Sequence, residues 1–285
     1  MKFPQADDRV HEAVRAGRRI DFATVIDTHG HFGTWPSANA FCGRDADGVL
    51  RAMDAYGLDN VFFSTSLIGY GGSLSRANDE VLRVVKALPR RALGYCTLSS
   101  CRPERNLDEL KRCFEMGLRL GVKMHRYHQP TYRLTDAFLQ PIFEFLNERR
   151  LIYINHDLGP LDELRTVALR YPDIAFLSGH GALAHAEMGL QIPNIYANVC
   201  AMTEHRAVET LVNKCGSSHL LLGSDFCLFD ASFGIGPVAF AKIPEEAKLD
   251  ILGRNAQAIL LRMEWFREEP LSIASTRENA SGGVC

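Results

Sequence analysis

The sequence has no apolar run near the roughly 20 residues that a membrane-spanning helix requires. It has no large excess of one charge, because 34 acidic and 32 basic side chains leave a net charge of −2. GxGxxG and Walker A sequences are also absent. These features predict no membrane segment, no nucleic-acid partner and no nucleotide site of those two kinds.

Paired cysteines are missing as well, since none of the 8 cysteines forms a CxxC pair and several lie in apolar runs. This scatter favours buried free thiols in a reducing compartment over disulfides. The first residues, MKFPQADDRV, show no apolar stretch of a secretory signal. We therefore expect a cytoplasmic location.

Short apolar runs that alternate with helical segments dominate the chain of 285 residues. Eight such runs, each bounded by polar residues, predict the strands of a single-domain α/β fold, the (β/α)₈ TIM barrel. We expect residues 1–20 to form an N-terminal extension, 21–265 the barrel, and 266–285 a loose C-terminal tail. The predicted strands are 23–31, 60–66, 91–98, 118–125, 151–157, 174–180, 195–201 and 219–225.

A doubly wound open sheet would also alternate strands with helices. Such a sheet usually has fewer strands and places its chemistry at one switch point. Here polar residues end the first, fourth, fifth, sixth and eighth predicted strands. Chemistry spread over several strand ends is typical of a barrel.

Five of the 10 histidines fall at the carboxyl ends of predicted strands. Because strand side chains alternate, His29 and His31 point to the same face. If that face is the barrel interior, two imidazoles meet side chains from later strands. Imidazoles with a carboxylate suit zinc, and also iron or manganese. The later candidates are His125, His156, His180 and Asp225.

Each of these residues also has an ordinary structural interpretation. A single histidine at a strand end is more often a satisfied polar residue than a ligand, and Asp225 could cap the following helix. The coincidence of ligand-type side chains at four strand ends favours a metal site. Lys123, on the fourth strand, adds to this coincidence.

The chain resembles the amidohydrolase superfamily, in the branch that includes aminocarboxymuconate-semialdehyde decarboxylase. The matching segments follow the family order over residues 25–261, nearly the whole chain. The segments are VIDTHGHFG, GVKMHRYHQPTYRLTDAFLQPIFEFLNERRLIYINHD, AFLSGHGA, LLLGSDF and ILGRNAQAIL.

The resemblance implies roles for individual residues. His29, His31 and His156 match metal ligands of the family. Asp225 matches the aspartate that contacts the metal and takes a proton from the attacking water. His180 matches a histidine that shuttles protons in single-metal members and is a ligand in two-metal members.

Lys123 lies where two-metal members carry a carbamylated lysine that bridges both ions, but lysines in this context also occur unmodified, so Lys123 does not determine the number of ions. One ion is expected, with zinc as the metal, and two if Lys123 is modified. Arg126 stands where the family often has a proline, so the substrate pocket differs there.

A metal-activated water would suit hydrolysis of an amide, lactone or related bond of a small organic substrate. The same site could instead serve a non-oxidative decarboxylase, with metal water or Asp225 protonating the carbon that loses CO₂. Substrate contacts are expected from His125, Arg126 and Trp35.

Two further hypotheses stay open. A TatD-type nuclease also begins with Asp-x-His-x-His, although the chain has no basic stripe for nucleic acid. A non-catalytic barrel that only binds a ligand is the other. A homodimer is possible, but no sequence feature identifies an interface.

Overall fold

The computed structural model describes residues 8–33, 45–66, 73–126, 130–181, 183–202 and 204–268. Every strand pairing in this part of the chain is parallel. The strands are β1 (Ile26–Phe32), β2 (Asn60–Thr65), β3 (Ala92–Gly94), β4 (Cys96–Thr97), β5 (Gly121–Met124), β6 (Ile152–Asn155), β7 (Ala175–Ser178), β8 (Ile195–Asn198) and β9 (Leu220–Leu221).

The strands follow one another in chain order, as β1-β2-β3 and β4 through β9. A backbone hydrogen bond connects the first strand to the end of the last: Thr28 N of β1 donates at 2.9 Å to the carbonyl of Leu222, which follows β9. All residues of β1, β2, β5, β6 and β7 are buried. Burial on both faces is what a parallel sheet covered by helices should show. The predicted TIM-barrel fold is confirmed.

The third predicted strand is divided at Tyr95 into β3 and β4. Tyr95 N donates to Phe63 O of β2 at 2.8 Å, and Leu120 N, just before β5, donates to Gly94 O at 3.2 Å. β3 pairs with β2, and β4 pairs with β5. The hydrogen bonds at Gly94 and Tyr95 join the two halves into one barrel strand. The Tyr95 side chain is buried, and its hydroxyl donates to Thr28 O.

Helices cover the strands on the outside. The predicted helix over 45–57 is observed as α2, with Asp45 capping its start and Gly57 ending it at a φ of 70°. The helices are α1 (Arg9–Arg15), α2 (Ala46–Tyr56), α3 (Leu74–Ala87), α4 (Asn106–Met116), α5 (Gln140–Arg149), α6 (Leu161–Arg170), α7 (Leu183–Gly189), α8 (Ala207–Cys215), α9 (Ser232–Ala239), α10 (Glu245–Leu249), α11 (Asn255–Leu260) and α12 (Glu264–Glu268). Short 3₁₀ helices span Pro103–Arg105 and Ala137–Leu139, and a π-helical turn spans Asp250–Arg254.

Both ends of the described chain pack on the barrel. Lys248 of α10 is fully buried, and its Nζ donates to Asp8 Oδ2 at 2.6 Å, which ties the start of α1 to α10. Val10 of α1 is buried, and Phe266 of α12 is 2% exposed. The predicted extension thus contains a packed helix. Residues 269–285 of the predicted tail lie outside the described residues.

Over the described ranges, no helix is both long enough and apolar enough to cross a membrane.

Candidate active site

The Asp225 carboxylate is the point on which the predicted site residues converge. Its Oδ1 lies 3.2 Å from His29 Nε2 and 3.3 Å from His31 Nε2, and its Oδ2 lies 3.6 Å from His180 Nε2. Burial alone would raise the pKa of Asp225, but the three imidazoles outweigh it and hold that pKa well below its usual value. Asp225 is therefore an anion in the ordinary pH range.

Asp225 is aimed at the imidazoles by a tight turn after β9. Its backbone adopts a left-handed conformation with a φ of 56°, and its carbonyl accepts hydrogen bonds from Leu228 N and Phe229 N. Such a conformation is uncommon for a residue other than glycine and often marks a functional position. The alternation of strand side chains could not predict this turn.

Asp27, on β1, connects the two segments that carry the converging side chains. Its carboxylate accepts hydrogen bonds from His29 N at 3.0 Å and from the backbone and hydroxyl of Ser224, the residue before Asp225. Burial raises the pKa of Asp27 to about 7, although these hydrogen bonds oppose it. Sequence reasoning missed this residue. The only available signal was its place at the start of Asp-x-His-x-His.

His29 has a ring orientation determined by the protein. Its Nδ1 lies 3.0 Å from Gly179 O, and a carbonyl can only accept, so Nδ1 carries the proton and Nε2 keeps its lone pair. Burial, together with the nearby Lys123 ammonium, lowers the pKa of His29 well below its usual value. The neutral imidazole therefore presents Nε2 as a donor atom. A backbone partner for the distal nitrogen is typical of metal-binding histidines.

Lys123 reaches the same point from β5. It is 1% exposed, and its Nζ lies 2.7 Å from His29 Nε2. Burial lowers the pKa of Lys123 to about 8, although the Asp225 charge raises it. A fraction of the amine is consequently unprotonated near neutral pH.

Three histidine rings form a row that leads away from Asp225. The His180 ring centroid lies 4.0 Å from that of His156, which stacks on His125 at 4.3 Å with an interplanar angle of 29°. Burial lowers the pKa of His180, so its imidazole is neutral near pH 7. The structure thus brings His29, His31 and His180 against Asp225, while His156 and His125 lie farther along the row.

Cys200, shortly after β8, lies within the cluster although the sequence indicated only a buried free thiol. One ligand atom each from His29, His180, Cys200 and Asp225 lie within 4.8 Å of one another. Burial raises the pKa of the Cys200 thiol well above its usual value, and the Asp225 charge adds to this. The available signal was its position at the end of the seventh predicted strand.

Arg126 follows β5 at the rim of the site. Its backbone N–H donates to Asn155 Oδ1 at 3.2 Å. Its side chain passes over Gly159, where an added Cβ would stand 1.8 Å from Arg126 Nη1. A side chain at position 159 would therefore force this guanidinium to move. Trp35, the other predicted pocket residue, lies outside the described residues.

A family model described as amidohydrolase matches residues 26–262. The chain belongs to the amidohydrolase family. This confirms the predicted branch and agrees with the predicted class of enzyme, a metal-dependent hydrolase or carboxy-lyase. Comparison with curated proteins finds no match.

Solved structures of similar fold include several enzymes. The 2,6-dihydroxybenzoate decarboxylase from Rhizobium is 15% identical over 84% of this chain and 98% of its own, with a TM-score of 0.66. The 4-oxalomesaconate hydratase from Rhodopseudomonas palustris is 18% identical over 84% and 96%, with a TM-score of 0.63. A dihydroxybenzoic acid decarboxylase from Polaromonas sp. JS666, solved with bound manganese and 2-nitroresorcinol, is 16% identical over 84% and 97%, with a TM-score of 0.64. At these identities the likeness shows the fold.

The residues of this amidohydrolase site fit a divalent cation. Asp225 is 4% exposed, yet its Oδ1 accepts no hydrogen bond from any residue in the described ranges. The two imidazole nitrogens near Oδ1 stand at ion-pair distance. A buried carboxylate oxygen without a donor is costly unless a cation balances it. Imidazole nitrogens and a carboxylate oxygen are suitable ligands for such an ion.

Proposed function

We propose that the protein is a metal-dependent decarboxylase that removes CO₂ from a small carboxylated substrate. The observation that carries this proposal is the convergence of His29, His31 and His180 on the buried Asp225 carboxylate. The names of similar structures support decarboxylation over hydrolysis, since those from Rhizobium and Polaromonas are decarboxylases of dihydroxybenzoates.

The proposed metal ligands are His29, His31, His156 and Asp225, with His180 as a further ligand if a second ion binds. A divalent ion here would polarise a substrate oxygen and lower the pKa of a coordinated water. We propose zinc, with iron or manganese as alternatives, and one ion unless Lys123 is carbamylated. Metal analysis of the purified protein checks the identity and the count.

Side chains of the protein would deliver the proton that the substrate carbon needs after CO₂ is lost. Loss of CO₂ breaks a carbon–carbon bond and leaves an electron pair on the substrate carbon, which must receive a proton. His180 is partly exposed, and its Nε2 lies 3.6 Å from Asp225 Oδ2. The imidazole can therefore take a proton from solvent and pass it through Asp225 to that carbon.

Substrate orientation is assigned to the rim of the site. Arg126 offers a planar guanidinium that suits a carboxylate or another anionic oxygen. His125 and Trp35 are proposed as further substrate contacts. His125 is 6% exposed beside His156, so it would act at the bottom of a pocket.

A substrate panel tests the reaction. Hydroxylated benzoates and unsaturated dicarboxylates are incubated with the metal-loaded protein, and released CO₂ is measured. Metal-dependent CO₂ release that Asp225→Asn abolishes is the expected result. If no carboxylated compound reacts while amides or lactones are hydrolysed, decarboxylation is wrong.

Hydrolysis of an amide, lactone or related bond is the second candidate. The same pair, Asp225 and His180, could take a proton from an attacking water and return it to a leaving group. The family description as amidohydrolase favours this candidate. The panel separates the two reactions by their products.

Two predictions concern the protein as a whole. A homodimer is proposed, and light scattering at the mass of one chain would refute it. A cytoplasmic location is also proposed. The free thiols of the described cysteines are consistent with a reducing compartment.

A further inference from the structure

Cys200 is a potential metal donor that the proposed ligand set does not use. It is 2% exposed and follows β8. The described cysteines on helices differ from it: Cys113 donates to Glu109 Oε1 at 3.3 Å, and Cys215 donates to Leu211 O at 3.0 Å. Those thiols serve packing, whereas Cys200 lies among imidazoles and a carboxylate.

The distances between the potential ligand atoms in this cluster are somewhat longer than those around a bound cation. The four ligand atoms of His29, His180, Cys200 and Asp225 lie within 4.8 Å of one another. Zinc bonds of about 2.0–2.3 Å in a tetrahedron separate the donors by about 3.3–3.6 Å. A contraction of roughly an ångström, within reach of side-chain rotation, would bring the atoms to that spacing.

A second observation points to a ligand independently of the thiol. Asp225 is 4% exposed, and its Oδ1 accepts no hydrogen bond from the part of the chain that the structure describes. His29 Nε2 lies 3.2 Å from this oxygen, and its Nδ1 is committed to Gly179 O. A buried carboxylate oxygen that no donor satisfies is costly unless a cation balances it.

We propose that Cys200 supplies a sulfur ligand to the divalent cation, beside His29 and Asp225 of the ligand set already proposed. The inference rests on the metal site of the proposed function and specifies its selectivity. Binding forms a sulfur–cation bond and breaks the S–H bond, and the proton is released to solvent. Thiolate is a soft donor that suits zinc and cobalt better than manganese or magnesium. The site therefore prefers zinc over manganese.

Cobalt titration of the whole protein tests the sulfur bond directly. The protein is stripped with a chelator, and Co²⁺ alone is added while the near-ultraviolet sulfur-to-cobalt charge-transfer band is recorded. Wild type and Cys215→Ser are expected to show the band as one ion binds. Cys200→Ser and Cys200→Ala are expected to bind Co²⁺ without the band. Their preference for Zn²⁺ over Mn²⁺ should fall by at least about tenfold.

The outcomes separate this inference from the proposed function. If wild type binds Co²⁺ without a charge-transfer band, Cys200 is not a ligand and the metal site stands. If wild type binds no Co²⁺ and no Zn²⁺, the metal site itself is wrong, and this inference falls with it. X-ray absorption of zinc-loaded wild type covers the case in which the variants do not fold. A sulfur neighbour at about 2.3 Å supports the inference, and its absence overturns it.

Discussion

Glu109 and Asp225 are two buried carboxylates in opposite surroundings. Glu109, on α4, accepts hydrogen bonds from Ser75 at 2.8 Å, Asn78 at 2.8 Å and Arg112 at 2.7 Å. Asp225 Oδ1 accepts none from the described residues. Burial raises the pKa of Glu109, but its partners outweigh burial and lower that pKa to about 2.

This difference in hydrogen bonding indicates that Glu109 stabilises the fold and that Asp225 is available to bind a ligand. Glu109 links α3 to α4 and has its oxygens satisfied by protein donors, so it stabilises the folded state. Asp225 is held among imidazoles by a left-handed backbone, an arrangement that stability alone would not favour. Changing each residue should therefore affect different properties of the protein.

Asp225→Asn tests the functional side of the comparison and has the largest expected effect. The amide cannot carry the negative charge or relay the proton, so kcat/KM should fall about 100- to 10,000-fold. The melting temperature should fall only modestly, because the imidazoles that hold the Asp225 pKa low lose their anionic partner. Steady-state kinetics and calorimetry measure both. A large loss of stability with modest loss of activity would contradict this assignment.

Glu109→Ala tests the structural side. The change leaves the side chains of Asn78 and Arg112 without their carboxylate, so the free energy of unfolding should fall by about 2–4 kcal/mol. Urea unfolding measures this value. Metal content and KM should match wild type. A change in metal content would mean that the two regions are not independent.

The arginines extend the comparison. Arg112 is held by carboxylates, whereas Arg126 is accommodated by the missing side chain at Gly159. Gly159→Ala should displace the guanidinium and raise KM for a carboxylated substrate roughly tenfold, since a charged hydrogen bond is lost. Metal content should not change.

Gly17→Ala is the matched control for Gly159→Ala. Gly17 also has a positive φ, 66° against 81°, but an added Cβ there has no neighbour within 4 Å. Both variants should lose about 1 kcal/mol of stability from backbone strain. Only Gly159→Ala should change KM. Equal KM values in the two variants would remove Arg126 from the substrate site.

The pH dependence of stability gives the smallest and most specific test. The folded pKa of Glu109, about 2, lies below its ordinary value of 4.5. The stabilisation is therefore complete above pH 4.5 and is lost as the pH falls toward 2. Urea unfolding of wild type and Glu109→Gln should give a difference that is constant from pH 7 to 5 and shrinks below 4.5. A difference that grows on acidification would refute the assignment.

The local pattern predicted much of this fold and part of its site. Eight apolar runs indicated a barrel, and the pairing of His29 and His31 on one face followed from strand alternation. Asp225 was identified by its place after the eighth run. The sequence indicated only a buried free thiol at Cys200, because a single cysteine in an apolar run has no local mark of a metal ligand. Asp27 was passed over for a similar reason, since its partner Ser224 is distant in sequence.

The sequence by itself determined the barrel and the end of it that carries the chemistry, because both follow from periodicities of a few residues along the chain. The tertiary structure decided which side chains meet. Closure of the ring brings ligand atoms of His29, His180, Cys200 and Asp225 within 4.8 Å of one another, although these residues lie on or just after four separate strands. It also decided that Arg126 passes over Gly159. Such contacts depend on strand register and backbone turns, which no local pattern specifies.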